Sequence, residues 1–179
     1  MSTNTNETLY SSDLAGVVVG ETAISDVQGD NGLLSYRGLD IKDLVDVPFL
    51  HVVWMVLFGE WPSAQQKSRL KAFMCKHERL SHAEIDLLQQ VPRDLHPMLM
   101  LQGFVPLLTP PDEHTLEIDE DAETGLFLAA KITGLIAAHY RLSQSKAVIA
   151  PVPGRLFHEN FLSMFHRSLP TIDQRTMLD

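Results

Sequence analysis

"GVVVGETAISDVQGDNGLLSYRGLDI" (residues 16–41) decides the architecture, because hydrophobic periodicity changes at its end. Three short β-prone runs, 16–20, 22–25 and 33–36, are separated by the turn signals Gly20-Glu21 and "DVQGDNG". That predicts small hairpins over 15–37. Beyond Gly38 the pattern is helical almost to the end of the chain. The glycines do not form a phosphate loop: neither G-x-G-x-x-G nor G-x-x-x-x-G-K-[ST] occurs. Gly29, Gly32 and Gly38 read as turn residues with positive φ.

The helices carry their own punctuation. Asp40 can cap a short turn over "IKDLV", and Pro48 opens "FLHVVWMVLF", which Gly59 and Pro62 end. That run is apolar on nearly every side, so it predicts a buried helix. It is too short to span a bilayer. Ser63 can cap the next helix, in which Leu70, Phe73 and Met74 form an apolar stripe with His77 at its margin. Ser81 and Glu84 make a capping box for a short helix that Pro92 stops. His96-Pro97 begins another, and Pro106 predicts a kink or an early end. The acids of "DEHTLEIDEDAE" precede a long helix through "TGLFLAAKITGLIAAHYRL", which ends with His139 and Arg141, as the helix dipole favours. Gly125, Ala129, Ala130, Gly134, Ala137 and Ala138 permit close helix–helix approach. A loop, "QSKAVIAPVPG", leads to a helix over "RLFHENFLSMFHRSL", and Pro170-Thr171 can start one more.

A chain of 179 residues, 45% of them hydrophobic, can bury one sizeable core. The formal charge is −9, which excludes a nucleic-acid binder and disfavours an anionic membrane surface. Cys75 is the one cysteine, so no internal disulfide forms, and a reducing cytoplasm is the expected compartment. Residues 1–13, polar and without a signal-peptide pattern, read as a disordered leader. The rest, 14–179, reads as one mainly α-helical unit, with a small sheet over 15–37 and helices over 40–179.

Each candidate for chemistry fails on spacing. His77 and His82 are five residues apart, a rotation of about 140° that turns the rings away from a shared zinc. They read as surface or rim histidines. Cys75 has Lys71, Lys76 and His77 near it in sequence, but a lone helical cysteine reads as a small core residue. Asp119, Asp121 and Glu123 alternate like a calcium loop, yet the glycine is one place late and Ala130 stands where a bidentate Glu is needed. No G-x-S-x-G elbow is present. Arg37 could reach an anionic substrate; the reading adopted is that it pairs with Asp40 or Asp43 and fixes the strand-to-helix corner. No residue is assigned as catalytic, cofactor-binding or metal-ligating.

The order of the segments says more. "LAGVVVGETAIS-DVQGDNGLLSYRGLDIKDL" resembles the opening of citrate synthases and 2-methylcitrate synthases, G-V-x-x-G-x-T-x-I-S followed by G-x-L-x-Y-R-G-x-D-I. "VVWMVLFGEWP", "LHPMLMLQ", "LAAKITGLIAAHYRL" and "HENFLSM" resemble the family's next blocks, in family order. Departures occur at Leu101-Gln102, at residues 131–135 and in "FLSMFHRS", as in a divergent paralogue.

The resemblance implies a citrate synthase-like large-domain portion and a homodimer built on helices within 97–142. It implies a condensation of acetyl-CoA or propionyl-CoA with oxaloacetate. There a carboxylate takes the thioester α-proton, histidines stabilise the enol and polarise the keto group, and arginines hold oxaloacetate. No metal is needed, and this chain is expected to bind no cofactor. The family's catalytic motifs come after its counterpart of "TMLD", so the small catalytic domain is expected to be absent. The expectation is therefore an N-terminal portion, inactive alone, of such an acyltransferase. The alternative is a stand-alone, non-catalytic relative that dimerises with itself or pairs with a full-length synthase or a C-terminal half.

Overall fold

The computed structural model describes residues 20–178. The expected leader (1–13) and the first β-run up to residue 19 lie outside them. Three antiparallel strands, β1 (Ser25–Gln28), β2 (Leu33–Tyr36) and β3 (Leu39–Asp40), form one small sheet in sequence order. In register, Ser25 faces Tyr36, Val27 faces Leu34, and Ser35 faces Asp40. The strand predicted at 22–25 is thus displaced: pairing starts at Ser25 and takes up the "DVQ" read as turn. A short 3₁₀ turn, Gly29–Asn31, and Gly32 at φ 62° reverse the chain.

Arg37 and Gly38 lie at φ 50° and 81° between β2 and β3. Two successive positive φ values give the tight primed turn that matches strand twist. Arginine is an unusual occupant, and its left-handed backbone costs on the order of 1 kcal/mol.

The helices follow as α1 (Ile41–Leu44), α2 (Phe49–Phe58), α3 (Ala64–Glu78), α4 (His82–Gln89), α5 (Pro97–Phe104), α6 (Glu120–Ser143), α7 (Phe157–His166) and α8 (Ile172–Leu178). The predicted caps are in place. Asp40 accepts from Lys42 N, Ser63 pairs with Gln66 and Ser81 with Glu84 in capping boxes, and Asp119 accepts from Asp121 N and Ala122 N. Pro106 ends α5 early, and Val105–Leu107 continues as 3₁₀ helix. The α2 expectation is corrected: Trp54 and Met55 are buried, but Phe49 and Leu57 are exposed, so this helix covers the core on one side only.

α6 is the axis. Its first half packs Leu126, Phe127 and Ala130 with Trp54, Leu70, Phe73 and Met74. Its second half packs Leu135 and Ala138 with Leu88, Met100 and Phe104. The small residues expected to serve a partner are largely used inside the chain: Ala130, Gly134, Ala137 and Ala138 are buried. Gly134 stands where α6 meets the end of α3. A Cβ built there would drive into the Glu78 carbonyl oxygen and lie 3.3 Å from its carbon.

Candidate functional site

The most concentrated polar chemistry lies where the end of α3 meets α6 and α7. The apolar stripe of α3 (Leu70, Phe73, Met74) continues in phase into His77 and Glu78, four residues beyond Phe73 and Met74. Both are therefore carried into the core. His77 was expected at the rim; instead it packs between the rings of Phe73 (4.4 Å) and Phe127 (5.3 Å). Burial, then the charges of Lys76 and Lys131, lower its pKa below the ordinary histidine value, so the ring is neutral. His82 opens α4 beyond the Ser81 cap, and the two rings share no face.

Glu78 is fully buried at 0% exposure. Burial pushes its carboxyl up to about 8, against weaker opposing hydrogen bonds to Thr133 and Asn160. The hydrogen-bond geometry agrees. The Thr133 hydroxyl lies 2.7 Å from the Ala130 carbonyl and 3.4 Å from Glu78 Oε1. A hydroxyl has one proton, and the shorter contact takes it. A neutral Glu78 completes the arrangement by donating to Thr133. Its Oε2 has no partner among the described residues and borders a cavity of about 80 Å³ formed with Gly134, Ile149 and Met164.

Beside it, Lys131 Nζ donates to Glu84 Oε2 (2.7 Å) and to the Arg79 carbonyl (3.0 Å). Burial pushes the Glu84 carboxyl up. The hydrogen bond from Lys131, with help from Ser81, overrides that and holds it below its ordinary value. This pair ties α6 to the start of α4. Sequence reading missed Glu78, Lys131 and Glu84 as a group; the available signal was that Glu78 and Lys131 fall in phase with buried stripes.

Cys75 is corrected from core residue to half-buried wall residue. Asn160, fully buried, accepts from Val152 N (2.9 Å) and donates to Val152 O (3.2 Å) and to Cys75 Sγ (3.6 Å). It thereby fixes the loop before α7 against α3. Cys75 faces a cleft of about 440 Å³ with Lys71, Lys76, Arg79 and Gly154. An adjoining cleft of about 330 Å³ shares Ser68 and Lys71 with it and extends to Phe49, His51, Phe157 and His158.

Arg37 does hold the strand-to-helix corner, but not through Asp40 or Asp43. Its Nε donates to the Val56 carbonyl (2.9 Å) and its Nη2 to the Leu57 carbonyl (3.1 Å), the open C-terminal carbonyls of α2. Two charge-assisted bonds at the negative helix end offset the strained turn. The acidic run caps and braces: Glu123 accepts from Thr115 N (2.8 Å) and Leu116 N (3.1 Å), and His114 lies 4.0 Å from it. The other histidines are dispersed: His139 on the Leu95 carbonyl, His96 capping α5, His166 at the end of α7. An enolising site needs a carboxylate and histidines around one substrate, and these elements do not bring such a set together.

One face is apolar and uncovered by the described residues. Met98 (64% exposed) and Leu99 (55%) on α5 lie open, and Leu107 beyond it is also exposed.

Comparison with known proteins adds the following. The family model described as "Citrate synthase, C-terminal domain" matches residues 13–179. The citrate synthase of Saccharolobus solfataricus is 24% identical over 172 residues, covering 96% of this chain and 46% of that protein. 2-Methylcitrate synthase 1 of Corynebacterium glutamicum is 30% identical over 154 residues, covering 84% of this chain and 40% of that protein. Among solved structures, Thermotoga maritima MSB8 citrate synthase superimposes with a TM-score of 0.79 at 25% identity, covering 93% of this chain and 44% of the other. Pyrobaculum aerophilum citrate synthase gives 0.72 at 25% identity, covering 89% and 43%. The chain spans less than half the length of the relatives it matches.

Proposed function

The chain belongs to the citrate synthase family, and from that premise we propose that it is the N-terminal portion of an acyltransferase that condenses acetyl-CoA or propionyl-CoA with oxaloacetate. What carries the reading is coverage: nearly all of this chain aligns, yet only 40–46% of each relative does. The sequence blocks quoted above are the opening blocks of the family pattern, in order. In this reading the chain supplies the helical wall of a cleft, and residues outside it supply the carboxylate base and the enol-stabilising histidines. No residue of this chain is assigned to catalysis or to cofactor binding, and CoA thioester is co-substrate of the whole enzyme. The test is CoA release from acetyl-CoA or propionyl-CoA plus oxaloacetate. The chain alone is expected to give none above background, and turnover by the isolated chain overturns the reading.

The exposed apolar face of α5 supports a second reading, a stand-alone, non-catalytic relative that associates with itself or with a full-length synthase. In both readings the helices within 97–142 carry a homodimer contact, through α5 and the still exposed Gly125, Ala129 and Tyr140 of α6. Light scattering is expected to show a dimer that Leu99→Asp converts to monomer. A monomer at high concentration before mutation overturns the contact. The readings part at the gene beyond codon 179: an H-A-D-H-E-x-N continuation, in frame or frameshifted, supports the first, and a clean stop supports the second.

A further inference from the structure

In a chain of net charge −9, the outer face of α3 is cationic. Lys67, Lys71, Cys75 and Arg79 recur every four residues and so form one stripe, with Ser68, Ala72 and Lys76 beside it. The stripe is concave because the loop held by Asn160 rises along it. Lys71, Lys76 and Arg79 line the larger cleft, and no acid does. Lys67, Lys71, His51 and His158 line the adjoining one, again with no acid. Among the described residues, no salt bridge involves Lys67, Lys71 or Lys76. Arg79 is already aimed, its Nη2 donating to the Pro151 carbonyl (3.0 Å).

The second cleft adds two features. Leu156, Phe157 and His158, the first residues of α7, form its wall, so the positive end of that helix opens into it. Glu159 is turned to the Leu156 N–H at 3.3 Å and does not line the cleft. Its far end is apolar: Phe49, 43% exposed, lies parallel to Phe157 with ring centroids 6.2 Å apart. Joined at Ser68 and Lys71, the two clefts offer an aromatic end and a cationic end. Each cleft volume falls in the range of small-molecule sites, whereas a protein partner prefers a flatter surface.

We propose that this double cleft binds a nucleoside polyphosphate, its base against Phe49 and Leu50 and its phosphates along Lys71, Lys76 and Arg79. Lysines would act here as point charges for phosphate, and the aromatic face would supply the stacking surface.

Cys75 provides the readout, since it is the single thiol of the chain and lies on the cleft wall. Its alkylation by iodoacetamide, a neutral reagent indifferent to the lysines, is followed with ATP, adenosine or tripolyphosphate present. ATP is expected to slow labelling saturably, with half-effect below about 1 mM, and about fivefold more than adenosine or tripolyphosphate at equal concentration. The double variant Lys71→Glu/Lys76→Glu, folded by circular dichroism, is expected to weaken ATP protection about tenfold. The charge-matched Lys42→Glu/Lys146→Glu, outside both clefts, is expected to leave it unchanged. Absence of saturable protection overturns the site. Equal protection by tripolyphosphate overturns the role of the aromatic end, and equal loss in both double variants shows general charge attraction and overturns the site.

Discussion

Gly134→Ala is expected to destabilise the protein by about 3 kcal/mol, although alanine is the better helix former. Elsewhere in an exposed helix this exchange stabilises by about 0.5–1 kcal/mol. Here the added methyl meets the backbone carbonyl of Glu78, with Leu80 Cδ2 3.4 Å away, and a carbonyl inside a packed helix end has little room to give. Relief requires α3 and α6 to separate, which opens the seam that both halves of the core share. Gly125 is the internal control: it is exposed on the same helix and a Cβ there meets nothing within 4 Å. Urea unfolding should therefore move in opposite directions for Gly134→Ala and Gly125→Ala. A gain in both would mean that α3 and α6 do not approach as closely as described.

Glu78→Gln is expected to stabilise the protein at alkaline pH and to do little at pH 4. The folded-state carboxyl titrates near 8 and the reference carboxyl at 4.5. Between those values the folded chain holds a proton that the unfolded chain has lost. Stability is thus fullest below 4.5 as far as this group is concerned, and falls as pH rises until the folded state also ionises near 8. The accumulated cost at pH 8 is on the order of 4 kcal/mol, a large share of an ordinary domain's stability. Glutamine keeps the shape without the titration, so the gap between variant and parent should widen steadily from pH 5 to pH 8. A gap independent of pH would show that Glu78 is not the titrating group. His77 works in the opposite sense: its lowered pKa costs stability as pH falls below 6.5, because the unfolded imidazole then takes up a proton that the buried ring refuses. The two neighbours therefore set a stability maximum between acid and alkali, and Glu78→Gln should shift that maximum upward.

Those two residues show where reading a sequence stops. The caps at Asp40, Ser63, Ser81 and Asp119 were legible because each hydrogen bond closes within three residues. Arg37 was legible as a corner residue but not in its partners, which lie 19 and 20 residues away on α2. Cys75 was misplaced for the same reason, since the loop it faces is held by Asn160, 85 residues on. The site candidates excluded by spacing, the His77/His82 pair and the acidic run, concern local geometry, and helix phase alone separates the two rings.

The sequence by itself determined the element order, the helix boundaries to within a few residues and the family, because capping, periodicity and ordered blocks are local or linear properties. Only the tertiary structure decided which side of each helix is inside. It turned the small residues of α6 inward, neutralised a glutamate, and gathered lysines and aromatic rings from α2, α3 and α7 into one cleft. Burial and long-range hydrogen bonds depend on which distant segments meet, and that is fixed when the helices pack.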